Sequence, residues 1–122
     1  GIRLSCIVDG SKLDFMSVSD ICSLFGNALE NAIRAVEILE DPEERIISLK
    51  VQEKNGMLLI RADNSFRGNL VFDGDLPQTT KKKDGYHGYG LKSIQMVAKK
   101  YAGVMRIQTD EQFVLTVMIP IP

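Results

Sequence analysis

Apolar residues recur along this chain with two different periods. From Ile21 to Leu39 they fall at Ile21, Leu24, Phe25, Ala28, Leu29, Ala32, Val36 and Leu39, the spacing that lays one stripe along a helix. Ser17 or Ser19 can cap its start, and Glu40-Asp41-Pro42 ends it, because proline cannot continue a helix. A second helix fits Leu91, Ile94, Val97, Ala98 and Tyr101, with Gly103 placed to terminate it. The remaining apolar runs suit strands. Ile2 to Val8 is one, followed by a turn-like stretch from Asp9 to Met16. Arg45 to Glu53 and Met57 to Ala62 flank Lys54-Asn55-Gly56, an Asn-Gly hairpin signal. Val104 to Thr109 and Gln112 to Ile119 close the chain before Pro120. Arg67 to Tyr86 has no lasting period and carries glycines, a proline and Lys81-Lys82-Lys83. So long a loop in a compact domain is usually either functional or a sign that elements within it have been missed.

The order is therefore strand, helix, hairpin, long loop, helix, two strands. It predicts an α/β fold: a two-layer sandwich of one mixed β-sheet with helices packed on one face. No internal repeat is present, and residues 1–122 are expected to form one domain with a lid-like insertion at about 67–86. The chain begins with Gly1 and runs at once into a strand, which suggests a fragment of a longer protein.

Composition narrows the function. With 122 residues, 44% hydrophobic and 25% charged, the chain has the make-up of an ordinary globular domain. A formal net charge of -1 argues against a dedicated nucleic-acid binder. No apolar stretch is long enough to span a bilayer. Cys6 and Cys22 fit no metal-binding spacing, so the expectation is buried, reduced thiols in a cytosolic protein. With one histidine, His87, a zinc site is not expected.

Three places carry candidate chemistry. On the first helix Asn27, Asn31 and Arg34 fall in one wedge that borders the apolar arc of Leu24, Ala28, Ala32 and Ala35. Amides beside a core face need partners. An amide oxygen is also a neutral hard ligand for a Mg²⁺ ion carrying phosphate, and an arginine one turn on can add charge to the same phosphates. The simpler alternative is that the asparagines bond to backbone or face solvent. Second, the strand Leu58 to Ala62 runs into Asp63-Asn64-Ser65, where a carboxylate or an amide can accept from an exocyclic amine such as that of adenine. An Asx turn would explain the same residues. Third, Tyr86-His87-Gly88-Tyr89-Gly90-Leu91 turns a loop into a helix. Its glycines permit close approach of an anionic ligand to unpaired helix N–H groups.

Taken together, these stations resemble the GHKL superfamily of ATPases and kinases. Leu24-Phe25-Gly26-Asn27-Ala28-Leu29-Glu30-Asn31-Ala32-Ile33-Arg34 resembles the N box of histidine kinases, Asp63-Asn64-Ser65 stands in the place of the first glycine box, and His87-Gly88-Tyr89-Gly90-Leu91 resembles the second. The last strand, Phe113 to Pro120, is similar to the family's own and adds Thr116 to the expected nucleotide-binding set. The resemblance covers nearly the whole chain and is greatest to the divergent kinases of peptide quorum-sensing receptors, whose lids run through T-x-K into H-G-x-G-L as Thr80 to Leu91 does here.

The resemblance implies a Bergerat-type ATP-binding fold with ATP or ADP between the first helix and the lid. Mg²⁺ would be held by Asn31, adenine read by Asp63 or Asn64 (Asp63 being favoured), and Lys83 and His87 would lie beside the phosphates. It implies the catalytic domain of a two-component sensor histidine kinase, transferring the γ-phosphate to a histidine on a separate dimerisation domain of the same receptor, with a response regulator downstream. The parent would be a membrane-bound homodimer, this domain lying on the cytoplasmic side of a bacterial inner membrane. Two departures matter. Ser65 and Arg67 replace glycines of the first box, and Asn27 stands where gyrase-type ATPases carry a glutamate base. Phosphoryl transfer thus fits better than hydrolysis. An anti-sigma-factor-type serine kinase and a degenerate, non-catalytic module acting by protein contact are the competing readings.

Overall fold

The computed structural model describes residues 1–67, 72–73, 76–77 and 89–122. Strand β1 (Arg3–Val8) leads to helix α1 (Val18–Glu37), and a 3-10 turn (Pro42–Glu44) precedes the hairpin β2 (Ile46–Lys54) and β3 (Met57–Asn64). Two-residue strands β4 (Phe72–Asp73) and β5 (Leu76–Pro77) pair with each other, then helix α2 (Tyr89–Lys100) is followed by β6 (Val104–Thr109) and β7 (Phe113–Pro120). The main sheet has the order β1-β2-β3-β7-β6; β1 runs parallel to β2 and every other pair is antiparallel. Both helices pack against this sheet and against each other. The α/β two-layer expectation holds.

Alternation along the strands separates the two faces. Ile47, Leu49 and Val51, then Leu58, Ile60 and Ala62, then Leu115, Val117 and Ile119 are buried beneath the helices. Against them α1 sets Leu24, Ala28, Ala32 and Val36, and α2 sets Leu91, Ile94, Val97 and Ala98. Ile94 and Leu24 have no exposed surface, and each such side chain contributes roughly 1.5–3 kcal/mol by leaving water.

Of the two expected caps Ser17 is the one used: it accepts the Asp20 N–H at 3.1 Å, so helix α1 begins at Val18, which faces water. It stops at Glu37, well before Pro42. There the Leu39 N–H donates to Val36 O in a tighter turn, and the Arg45 guanidinium covers Leu39 O at 2.9 and 2.7 Å. The hairpin turn is as expected, with Asn55 and Gly56 at φ 54 and 77.

Helix α2 ends in a Schellman arrangement: Gly103 N–H donates to Ala98 O at 2.7 Å and Ala102 N–H to Lys99 O at 3.1 Å. The left-handed residue is Ala102, φ 60, rather than Gly103. Glycine is needed at 103 for room, since a Cβ there would lie 2.4 Å from Met118 O. The cysteines also depart from expectation, both thiols being exposed. Cys6 is on the sheet edge that no helix covers, and Cys22 is on the outward side of α1. Finally, the stretch expected to be a long, lid-like loop contains β4 and β5.

Candidate functional site

Two elements bring the first and third stations together. Asn27 sits half-buried on α1, and its Nδ2 donates to Ser23 O at 2.7 Å and to Ser23 Oγ at 3.3 Å, one turn back. This fixes the amide so that Oδ1 is turned to the start of α2. A Cβ built on Gly90 would stand 3.3 Å from Asn27 Oδ1, tighter than an ordinary contact. Gly90 therefore lets the first turn of α2, whose leading N–H groups have no partner within the helix, close onto the asparagine. Leu91 is buried beside it and anchors that turn in the core.

Further along α1, Asn31 is half-buried and Arg34 exposed. The Arg34 Nε donates to Glu30 Oε1 at 3.3 Å, an exposed pair one turn apart that holds the guanidinium along the helix surface. Ser23, which orients Asn27, was not among the expected residues. Its place four residues before an asparagine on a core-bordering wedge is the signal that would find it.

The second station resolves by strand parity. Asn64 continues the buried row Leu58, Ile60, Ala62 on the helix-covered face, is only 1% exposed, and donates from Nδ2 to Ser65 O at 2.8 Å. Asp63 is on the opposite face with Arg61, whose Nε and Nη2 donate to the two carboxylate oxygens at 2.8 and 2.9 Å. The carboxylate raises the guanidinium above its ordinary value, first through these hydrogen bonds and then through charge. Thr116, paired with Arg61 across β7, lies on that same face. The structure thus groups Asn27, Asn31, Asn64, Gly90 and Leu91 with the helices, and sets Asp63 and Thr116 behind the sheet. The two adenine candidates are thus separated by face: Asn64 lies on the helix-covered side, and Asp63, the favoured one, on the other. Lys83, His87, Gly88 and the Tyr89 side chain lie outside the described residues, as does the rest of the lysine run.

The donor set suits a magnesium nucleotide. It offers neutral amide oxygens and helix N–H groups with a cation on the rim, and among the described residues no cluster of three or more His, Cys, Asp or Glu is placed to hold a metal by itself. The amides contribute no charge of their own, so an ion here needs oxygens brought by its ligand. A separate shallow cleft of about 390 Å³ is lined by Gly1, Ile2, Arg3, Pro42 and Glu43, on other elements. Near the far ends of the helices, Asp20 accepts from the Tyr101 hydroxyl and from Lys100 Nζ, the latter at 2.8 Å, while Tyr101 Oη accepts the Ser17 N–H at 3.1 Å. The ammonium, the phenol and the Ser17 cap hold the Asp20 carboxyl down at about 2. This cluster ties the start of α1 to the end of α2 and so fixes the helix pair that carries the asparagines.

A family model described as "GHKL domain" matches residues 16–120. Among solved structures, the catalytic domain of the histidine kinase ThkA is similar with a TM-score of 0.71 at 18% identity, over 98% of this chain and 79% of that one. The histidine kinase domain of the blue-light activated kinase from Erythrobacter litoralis EL346 gives 0.65 at 14%, over 98% and 55%. The Acinetobacter baumannii histidine kinase AdeS gives 0.57 at 11%, over 98% and 53%. At such identities the likeness establishes the fold. No curated protein matches the sequence.

Proposed function

We propose that this chain, which belongs to the GHKL domain family, is the ATP-binding catalytic domain of a histidine kinase, passing the γ-phosphate of Mg-ATP to a histidine on a separate dimerisation domain. The observation that carries the reading is the closure of the α2 start onto Asn27 through Gly90, with Asn31 one turn further along the same wedge. When bound, Mg-ATP supplies the transferable phosphoryl group and the ion that neutralises its oxygens. Asn31 would hold that ion, and the leading N–H groups of α2 and Arg34 would bind the phosphates. Asn64 would meet the amine edge of adenine.

The same residues argue for transfer over hydrolysis. A general base must accept a proton in the working pH range, which an amide cannot do. Asn27 is also already engaged with Ser23. Catalysis by this chain then consists of holding and orienting the nucleotide for an acceptor brought by the partner. The parent in this reading is a bacterial membrane receptor of the peptide-sensing kind, with the domain on the cytoplasmic side and a response regulator receiving the phosphoryl group. The similar structures named above are histidine kinases, which supports the kinase part of the reading.

The test is phosphotransfer in mixture. Incubated alone with labelled ATP and Mg²⁺, the chain should acquire no acid-labile phosphate. With the receptor's own histidine-bearing dimerisation domain added, label should appear on that domain. Label on His87 of the isolated chain, or on a serine of the added protein, contradicts the proposal.

A further inference from the structure

We propose that β1 is the docking edge for a second copy of this chain, the two β1 strands pairing antiparallel about Cys6 to make one continuous sheet. Independent of the nucleotide site, the inference begins from exposure. All of β1 faces solvent, and Leu4, Ile7 and Val8 remain 54%, 64% and 52% exposed. Leu4, Cys6 and Val8 lie in register with Ile47, Leu49 and Val51, on the side the helices cover further in. They extend the buried apolar layer past the edge of the helix layer into water. Long apolar edges are normally blunted by charge, proline or a bulge, and none interrupts Leu4 to Val8.

Backbone parity fixes how a second strand can bind. The N–H groups of Arg3 and Asp9 donate inward, to Arg45 O and Val51 O at 2.9 and 3.0 Å. Residues of the other parity, Leu4, Cys6 and Val8, therefore aim both N–H and C=O outward. Opposed antiparallel about Cys6, these residues meet their own kind: Leu4 faces Val8 of the second copy and Cys6 faces Cys6, each in a hydrogen-bonded pair. The same register sets Arg3 across from Asp9 in both directions, so charge as well as hydrogen bonding is self-complementary. Arg3 lies 3.9 Å from Glu43 and Asp9 holds the Ser11 hydroxyl at 2.7 Å, but both charged groups are exposed and can take a further partner. A two-fold axis through the Cys6 pair would put both helix layers on one side and join the apolar strips beneath them.

The test is sedimentation of the whole chain under reducing conditions over a wide concentration range. A reversible dimer is expected. Arg3→Asp or Asp9→Arg alone should raise its dissociation constant about tenfold or more, because two symmetry-related pairs turn repulsive at once, and the double swap Arg3→Asp/Asp9→Arg should restore it. As a second measurement, mild oxidation with diamide in a Cys22→Ser background should cross-link Cys6 to Cys6, since Cα atoms of such a pair stand about 5.5 Å apart. Cross-linking should fall with either single charge change and return with the double. A chain monomeric at every concentration overturns the inference. So does a dimer indifferent to these substitutions, or Cys6 cross-linking that they leave unchanged.

Discussion

Asn27 Oδ1 lies where a methyl group on Gly90 would come within 3.3 Å of it, so the amide of one helix and the first turn of the other share one small space. Gly90→Ala separates folding from binding at this point. Alanine favours a helix by about 1 kcal/mol over glycine, so thermal stability should hold or rise slightly. The added methyl would displace the Asn27 amide, which Ser23 holds from behind. Nucleotide affinity, measured by calorimetry, should fall about tenfold, or 1.4 kcal/mol. Unchanged affinity would mean that the contact between the helices does not shape the site.

Asn64 and Asp63 give a paired prediction. Asn64→Ala, on the helix-covered face, should weaken ATP binding about tenfold, as expected for loss of a hydrogen-bonding group from a closed site. Asp63→Asn should leave binding within about twofold. It removes only the partner of Arg61, half exposed on the far face, at a cost of about 1 kcal/mol or less. The reverse ranking in a fluorescent-nucleotide titration would place the ligand behind the sheet.

The alternation that sets these two neighbours on opposite faces was legible in the sequence. Leu58, Ile60 and Ala62 form one apolar row that Asn64 continues, whereas Leu59, Arg61 and Asp63 form a mixed one. The hairpin and the buried stripes of both helices were legible for the same reason: local chemistry and burial agree there. What could not be read depends on distant groups. Helix α1 ends where Arg45 reaches Leu39 O, and Gly103 is dictated by Met118, neither of which is adjacent in sequence. Nor does any periodicity reveal that the helices stop short of β1, leaving Cys6 in water.

Gly103 and Ala102 should respond in opposite directions. Gly103→Ala forces a methyl against the Met118 carbonyl and should destabilise the fold by about 2–3 kcal/mol in urea unfolding. Ala102→Gly relieves a left-handed alanine and should stabilise it by about 1 kcal/mol. Equal and small effects at both positions would contradict the packing described for the end of α2.

Asp20 predicts an acid limit to stability. Its carboxyl titrates at about 2 in the fold, against an ordinary value of 3.8, so the folded state binds the proton less readily than the unfolded state. The stabilisation is fully present above pH of about 4 and is lost as the pH falls from there toward 2. Asp20→Asn should lower the melting temperature near neutrality and flatten its decline between those limits. A decline as steep in the variant as in the parent chain would remove Asp20 from the cause.

The central claim is that Mg-ATP binds between α1 and the start of α2, on the helix-covered face. Amide-resolved NMR of the chain titrated with Mg-ATP, in parallel with Asn31→Ala, tests it most directly. The account predicts saturable shifts centred on Asn27, Asn31, Asn64 and Gly90, small ones at Arg61 and Thr116, and a loss of affinity in Asn31→Ala that is marked with Mg²⁺ and slight without it. Shifts centred on Arg61, Asp63 and Thr116, or no saturable shifts at all, would contradict it.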